Sequence, residues 1–208
     1  MHQVDHEFEK ACEALRRGDV IIYPTETLYA IGCDAFCAEA AARVYAFKKR
    51  SHAKPLPVLI GDASQLSQVT DWHSEDLEKL ARRFWPGPLS VIVPAREGLP
   101  REVQDAEGTT SVRVTPHPVA ARLSRELGRP LVATSANLSG EPSVARPDAL
   151  SEALCQSVSY VFRSEPWPGG GEPSTVIAFA EPGVLVLHRE GAISKAALEA
   201  EGFVIQTV

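Results

Sequence analysis

Strands and helices mixed along one chain, without the regular alternation of a barrel, predict an α/β or α+β domain. Three observations carry this. Short apolar, β-branched runs recur, at Val20–Tyr23, Leu89–Val93 and Val184–Leu187. Between them stand segments with apolar residues at helical spacing, such as Leu77, Leu80, Ala81 and Phe84. Gly and Pro mark the joins, most sharply at Trp85-Pro86-Gly87-Pro88. No internal repeat and no long linker divides the 208 residues, so a single domain over 1–208 is expected.

In chain order, Phe8, Cys12 and Leu15 predict a first helix that Gly18 stops. Val20–Tyr23 is a buried strand ended by Pro24, with Thr25-Glu26-Thr27 in the loop beyond. Hydroxyls at the mouth of a buried strand suit a small polar ligand, or merely local backbone groups. Tyr29–Gly32 resumes an apolar segment, and Ala38–Phe47 is a helix. Leu56–Ile60 is a strand that Pro57 makes irregular. Helical patterns follow around Gln65 and over Ser74–Phe84, then a strand at Leu89–Val93. In Thr109–Val114, alternation puts Thr109, Ser111 and Arg113 on one face. An Arg there either pairs with a carboxylate or binds an anion. Pro118–Leu127 is a helix stopped by Gly128. Pro130–Ala133 enters a strand ending at Thr134–Asn137, and turn residues run on to Ser143. Arg146–Cys155 reads as a helix and Tyr160–Phe162 as a strand. After the glycine run 169–171 come strands at Ser174–Phe179 and Val184–Leu187, then a short helix near Ala196–Glu201.

Composition excludes some functions. A formal charge of -6 argues against a broad nucleic-acid-coating surface. No apolar run is long enough to span a membrane, and the N-terminus shows no signal-peptide pattern. The four cysteines are scattered and give no disulfide framework, which suggests the cytoplasm. Cys33 and Cys37 lack a second pair at zinc-site spacing, so no metal is expected there.

One stretch runs against the overall charge. From Arg43 to Ile60 the chain carries five cations and no carboxylate. Such a local run concentrates positive potential. Lys48 and Arg50 at a helix exit fit a phosphate clamp, or simply a solvated helix end. There is no Walker A loop, no G-x-G-x-x-G and no G-x-S-x-G. Strand-end hydroxyls, scattered arginines and one basic loop suit a pocket for a small anionic ligand.

Seven segments together resemble the YrdC/Sua5 family of threonylcarbamoyl-AMP synthases. They are Tyr23–Tyr29, Lys48–Arg50 with Lys54–Leu56, Trp85–Pro88, Ser111–Val114, Thr134–Gly140, Ser174–Val176 and Arg189–Gly191. The family's K-x-R and S-x-N are here Lys48/Arg50 and Ser135/Asn137. The match runs from about 7 to 193 and resembles the short form without a C-terminal Sua5 domain. The resemblance implies a twisted, open, mostly mixed sheet flanked by helices around a concave basic pocket. It implies that L-threonine, bicarbonate and ATP, with Mg²⁺, give threonylcarbamoyl-AMP and pyrophosphate for t6A modification of tRNA. Further partners would be tRNA and other t6A-pathway proteins. Thr27, Arg113, Ala133 and Ser174 would hold threonine, with Arg113 on its carboxylate. Lys48 and Arg50 would hold the triphosphate and balance charge in the transition state. Lys54, Thr109, Ser135, Asn137, Ser143 and Arg189 would complete the nucleotide side. Ala30, Ser51, Leu59, Ala178 and His188 depart from the family pattern. Rival readings are an RNA-binding module, a nucleotide-binding relative without catalysis, and a carbamoyl-transfer enzyme of hydrogenase maturation.

Overall fold

The computed structural model describes residues 2–48, 55–138 and 140–207, with 2 and 3 as backbone only. Arg50 and Lys54, and with them most of the basic stretch, lie outside the described residues.

The strands form two sheets. In the smaller, β1 (Ile21–Pro24) pairs antiparallel with β2 (Tyr29–Gly32) and parallel with β8 (Tyr160–Val161). β7 (Thr134–Ser135) joins the free side of β2. The larger sheet runs β11 (Val204–Thr207), β10 (Val184–Arg189), β9 (Thr175–Glu181), β4 (Leu89–Pro94), β5 (Thr109–Val114), β3 (Val58–Ile60), β6 (Leu131–Val132). Its pairs β4·β9, β3·β5 and β10·β11 are parallel and the rest antiparallel, so it is mixed as expected.

Ala133 alone separates β6 from β7, so the chain leaves one sheet and enters the other within three residues. The sheets touch closely at Gly32. A Cβ there would lie 1.6 Å from the Val132 carbonyl oxygen. Glycine is what this approach demands.

Alternation decides which face does what. Val91, Val93, Val112, Ile177, Leu185 and Leu187 point one way from the larger sheet and are buried in the main core. Their neighbours Ser90, Ile92, Ser111, Arg113 and Val176 point the other way, into a cavity. α1 (His2–Arg16) buries Phe8, Cys12 and Leu15 in a second core cluster. Phe8 meets Phe162 edge-on at 5.0 Å. Leu59 packs in this second cluster rather than against the cavity.

Local signals set the helix ends. α2 is Ala38–Lys48. α3 (Glu75–Phe84) starts at Ser74, whose Oγ accepts from the Leu77 N–H at 3.1 Å. Acids in its first turn and arginines in its last complement the helix dipole. α4 (Pro118–Leu127) has Pro at its start and ends at Gly128, with φ 74°. Space around Gly128 is open, so Gly128→Ala tests backbone strain alone. It is expected to cost about 1–2 kcal/mol, read as a lower urea midpoint. An unchanged midpoint would show that the turn relaxes out of the left-handed region.

Two expectations need correction, and one strand adds to them. Arg146–Cys155 is not one helix; a 3-10 turn at Pro147–Ala149 is followed by α5 (Glu152–Gln156). Leu150 between them is extended and Ser151, at ψ 129°, is not helical, which interrupts the ladder. The strand expected from Leu56 begins at Val58, since Pro57 has no N–H to give. β11, after α6 (Lys195–Ala200), was not anticipated. It is an edge strand with no buried position, so its sequence carries no alternation. Among the described residues, no helix is long and apolar enough to cross a membrane.

Candidate active site

A cavity of about 440 Å³ is lined from both sheets. Thr25, Thr27 and Tyr29 come from the β1–β2 side, and Ala133 and Ser135 from the crossing segment. Ser90, Arg113, Ser174 and Arg189 come from the larger sheet. Two arginines and a histidine, but no carboxylate, are among the described residues that line it.

The β1–β2 loop is built by short-range bonds. The Thr25 N–H and hydroxyl both donate to the Leu28 carbonyl, at 3.1 and 2.7 Å. From the far side, the N–H groups of Gly169 and Gly170 donate to the Glu26 and Thr27 carbonyls, at 3.2 and 2.9 Å. Gly170, at φ 79°, takes a conformation that suits glycine. The glycine run therefore clamps the loop that carries Thr27.

Of the two alternatives that its strand position left open, the structure shows the pairing of Arg113 with a carboxylate. Its Nε donates to Glu26 Oε1 at 2.8 Å, with the two side chains 6% and 10% exposed. Among the described residues it makes no further hydrogen bond, and it lines the cavity. Its two terminal nitrogens thus have no hydrogen-bond partner among the described residues. Glu26 Oε2 accepts from the Thr115 hydroxyl at 2.7 Å. Burial alone would raise the Glu26 carboxyl. The Arg113 charge, the Thr115 hydroxyl and the loop backbone outweigh it and hold the group below its ordinary value.

His117 lies behind this pair, 6% exposed, with neither ring nitrogen hydrogen-bonded among the described residues. Burial lowers its pKa; the Glu26 charge and the approaching Trp167 and Pro166 carbonyls restore only part. The unfolded chain therefore binds this proton first. Stability is present above the ordinary value of 6.5 and is lost as pH falls through the lower folded value. His117→Phe is expected to flatten this acid slope in urea midpoints taken between about pH 7.5 and 5. A slope equal to wild type would remove His117 as its source.

Lys48 ends α2 and is 6% exposed. Its Nζ lies 2.8 Å from the Ser135 carbonyl and 3.3 Å from Ser135 Oγ. It is 2.9 Å from the Asn137 carbonyl and 2.7 Å from Asn137 Oδ1. Ser135 Oγ donates to the same Oδ1 at 2.6 Å. The K-x-R lysine and the S-x-N pair thus form one cluster, with Lys48 gripping the loop behind Ser135. Across the cavity, Arg189 donates from Nε and Nη2 to the Ser174 carbonyl, at 3.0 and 2.7 Å. Ser90 Oγ donates to Ser174 Oγ at 3.1 Å. A register shift between Leu187 and Arg189 brings both His188 and Arg189 to the cavity wall.

Of the expected site residues, Thr27, Arg113, Ala133, Ser135, Ser143, Ser174 and Arg189 line this cavity. Lys48 and Asn137 stand behind it. Arg50 and Lys54 lie outside the described residues. Thr109 is not brought in. Its hydroxyl and N–H bond Asp105, and it lines a neighbouring depression that shares only Ile92 with the cavity. Three residues escaped the sequence reading as site members: Glu26, Ser90 and His188. Glu26 was legible as the one charge in a strand-end loop, and Ser90 as the polar interruption of an apolar strand.

No serine of the lining bonds a histidine among the described residues, so no nucleophile–base pair is assembled. Nor does any group of three His, Cys, Asp or Glu stand ready for a metal ion among them. Glu26 does not line the cavity, and both its oxygens are committed. The described residues do not fit a protein-held Mg²⁺.

The Sua5/YciO/YrdC family model, described as telomere recombination, matches residues 13–191. The chain is 36% identical to a threonylcarbamoyl-AMP synthase of Bacillus subtilis (strain 168), covering 94% of this chain and 56% of that protein. It is 40% identical to a synthase of the same name from Methylococcus capsulatus, over 66% of this chain and 74% of the relative. The crystal structure of P. abyssi Sua5 complexed with L-threonine superposes with a TM-score of 0.86 at 30% identity. That match covers 96% of this chain and 58% of the other. The chain thus spans somewhat over half the length of the Bacillus and P. abyssi proteins.

Proposed function

The chain belongs to the Sua5/YciO/YrdC family, and from that membership we propose that it makes threonylcarbamoyl-AMP from L-threonine, bicarbonate and ATP. Pyrophosphate leaves, and the product serves t6A modification of tRNA. The observation that carries the reading is a cavity with arginines on two walls, hydroxyls between them and no protein nucleophile.

The reaction gathers anions. Threonine's amine condenses with bicarbonate to a carbamate, losing water. A carbamate oxygen then attacks the α-phosphorus of ATP, and pyrophosphate departs. Both steps need positioned positive charge more than a covalent intermediate. Arg113 takes the threonine carboxylate, with Thr27, Ala133 and Ser174 around the amino acid. Arg189, Ser135 and Ser143 face the nucleotide, with Lys48 holding Ser135 and Asn137 in place. Arg50 and Lys54 are further nucleotide contacts on the family pattern. Mg²⁺ would arrive on the triphosphate, as that ion commonly does; no step here is routed through it.

The test is pyrophosphate release by the purified protein. Release that requires threonine, bicarbonate and ATP together is the expected result. Release that ignores threonine, or none at all, overturns the proposal. Salt-dependent RNA binding without turnover would favour the RNA-binding rival instead.

A further inference from the structure

We infer that Glu26 is the positioning residue for Arg113. By holding the Nε edge of the guanidinium, it turns the two terminal nitrogens toward the cavity for a two-point grip on the amino-acid carboxylate. The inference rests on the threonine reading above.

A guanidinium has an Nε edge and a terminal edge, and either can meet a carboxylate. Here only Nε meets Glu26, at 2.8 Å. Glu26 is fixed in turn. Thr115 donates to its other oxygen, and the Thr115 hydroxyl itself accepts from the His117 N–H at 3.2 Å. The Glu26 carbonyl is held by the Gly169 N–H. With the side chains 6% and 10% exposed, water has little room to replace either partner. Arg113 therefore has one orientation, set from behind. Without Glu26, a flexible arginine could still neutralise a carboxylate but would not be pre-set to fork onto it. Glu26 is absent from the cavity lining, so it acts through Arg113 and not on the substrate.

The test compares wild type, Glu26→Gln and Glu26→Ala by steady-state kinetics and by calorimetric titration with L-threonine and ATP. Gln keeps the volume and one acceptor oxygen. The KM for threonine is expected to rise in the order wild type, Gln, Ala, reaching about tenfold or more in Ala. The KM for ATP, and kcat at saturating threonine, should stay within about twofold. A partial recovery in Gln is a result that loss of folding alone does not produce. Should the alanine variant fail to fold, the glutamine variant decides alone by the same split. Equal rises in both KM values, or a lower melting point with both KM values unchanged, would overturn the inference and leave a structural ion pair. A collapse of kcat with unchanged KM would also overturn it, by making Glu26 a proton acceptor. If wild type binds threonine and both variants bind it equally, only this inference fails. If wild type itself binds no threonine, the proposed function fails first and the inference with it.

Discussion

Lys48→Ala is expected to lower threonine-dependent pyrophosphate release by at least about tenfold and to lower stability by about 1.5–3 kcal/mol. One ammonium meets the carbonyls of Ser135 and Asn137 and the Asn137 side-chain oxygen, all within 2.9 Å. Alanine leaves those acceptors without their cation in a site that admits little water. The loop carrying Ser135 should then lose its register against the cavity. Two measurements separate the effects: a urea midpoint, and turnover per folded molecule below that midpoint. Wild-type values for both would make Lys48 an ordinary helix end. Lost stability with intact turnover would confine it to holding the loop.

The second large effect is on substrate choice. Arg113→Lys keeps the charge opposite Glu26 but replaces a planar fork by a point charge. An ammonium drawn to Glu26 has no second edge to offer the cavity. Affinity for L-threonine should fall about tenfold or more. Affinity for ATP should change by less than about twofold, since Arg189 and the Lys48 cluster stand elsewhere in the site. Lysine is the informative change. Alanine would strand the buried Glu26 carboxylate, at a cost of about 3–5 kcal/mol, and confuse binding with folding. Separate calorimetric titrations of the two ligands decide the matter. Equal losses, or a loss for ATP alone, would move Arg113 off the amino acid.

Much of this was determined by the sequence itself. The face of β5 that Arg113 occupies follows from two-residue alternation in Thr109–Val114. The stop at Gly128 and the buried face of α3 follow from helical period and backbone sterics. These are local properties, fixed by residues a few positions apart. The ordered segments from Tyr23 to Gly191 also pointed to the family and, through it, to seven residues of the cavity wall, Arg113 and Arg189 among them.

What only the tertiary structure decided depends on pairs far apart in the chain. Glu26 and Arg113 are 87 residues apart, as are Lys48 and Ser135. No local pattern says which carboxylate an arginine will meet, or that a helix-end lysine will turn inward to bond carbonyls. The division into two sheets rests on the change of partner across Ala133, from β3 to β2. Thr109 shows the same limit from the other side. It shares a face with Arg113, yet Asp105 and a distance of four residues along the strand keep it out of the cavity, in the neighbouring depression. Alternation fixes which face a side chain takes, whereas packing fixes what meets it there.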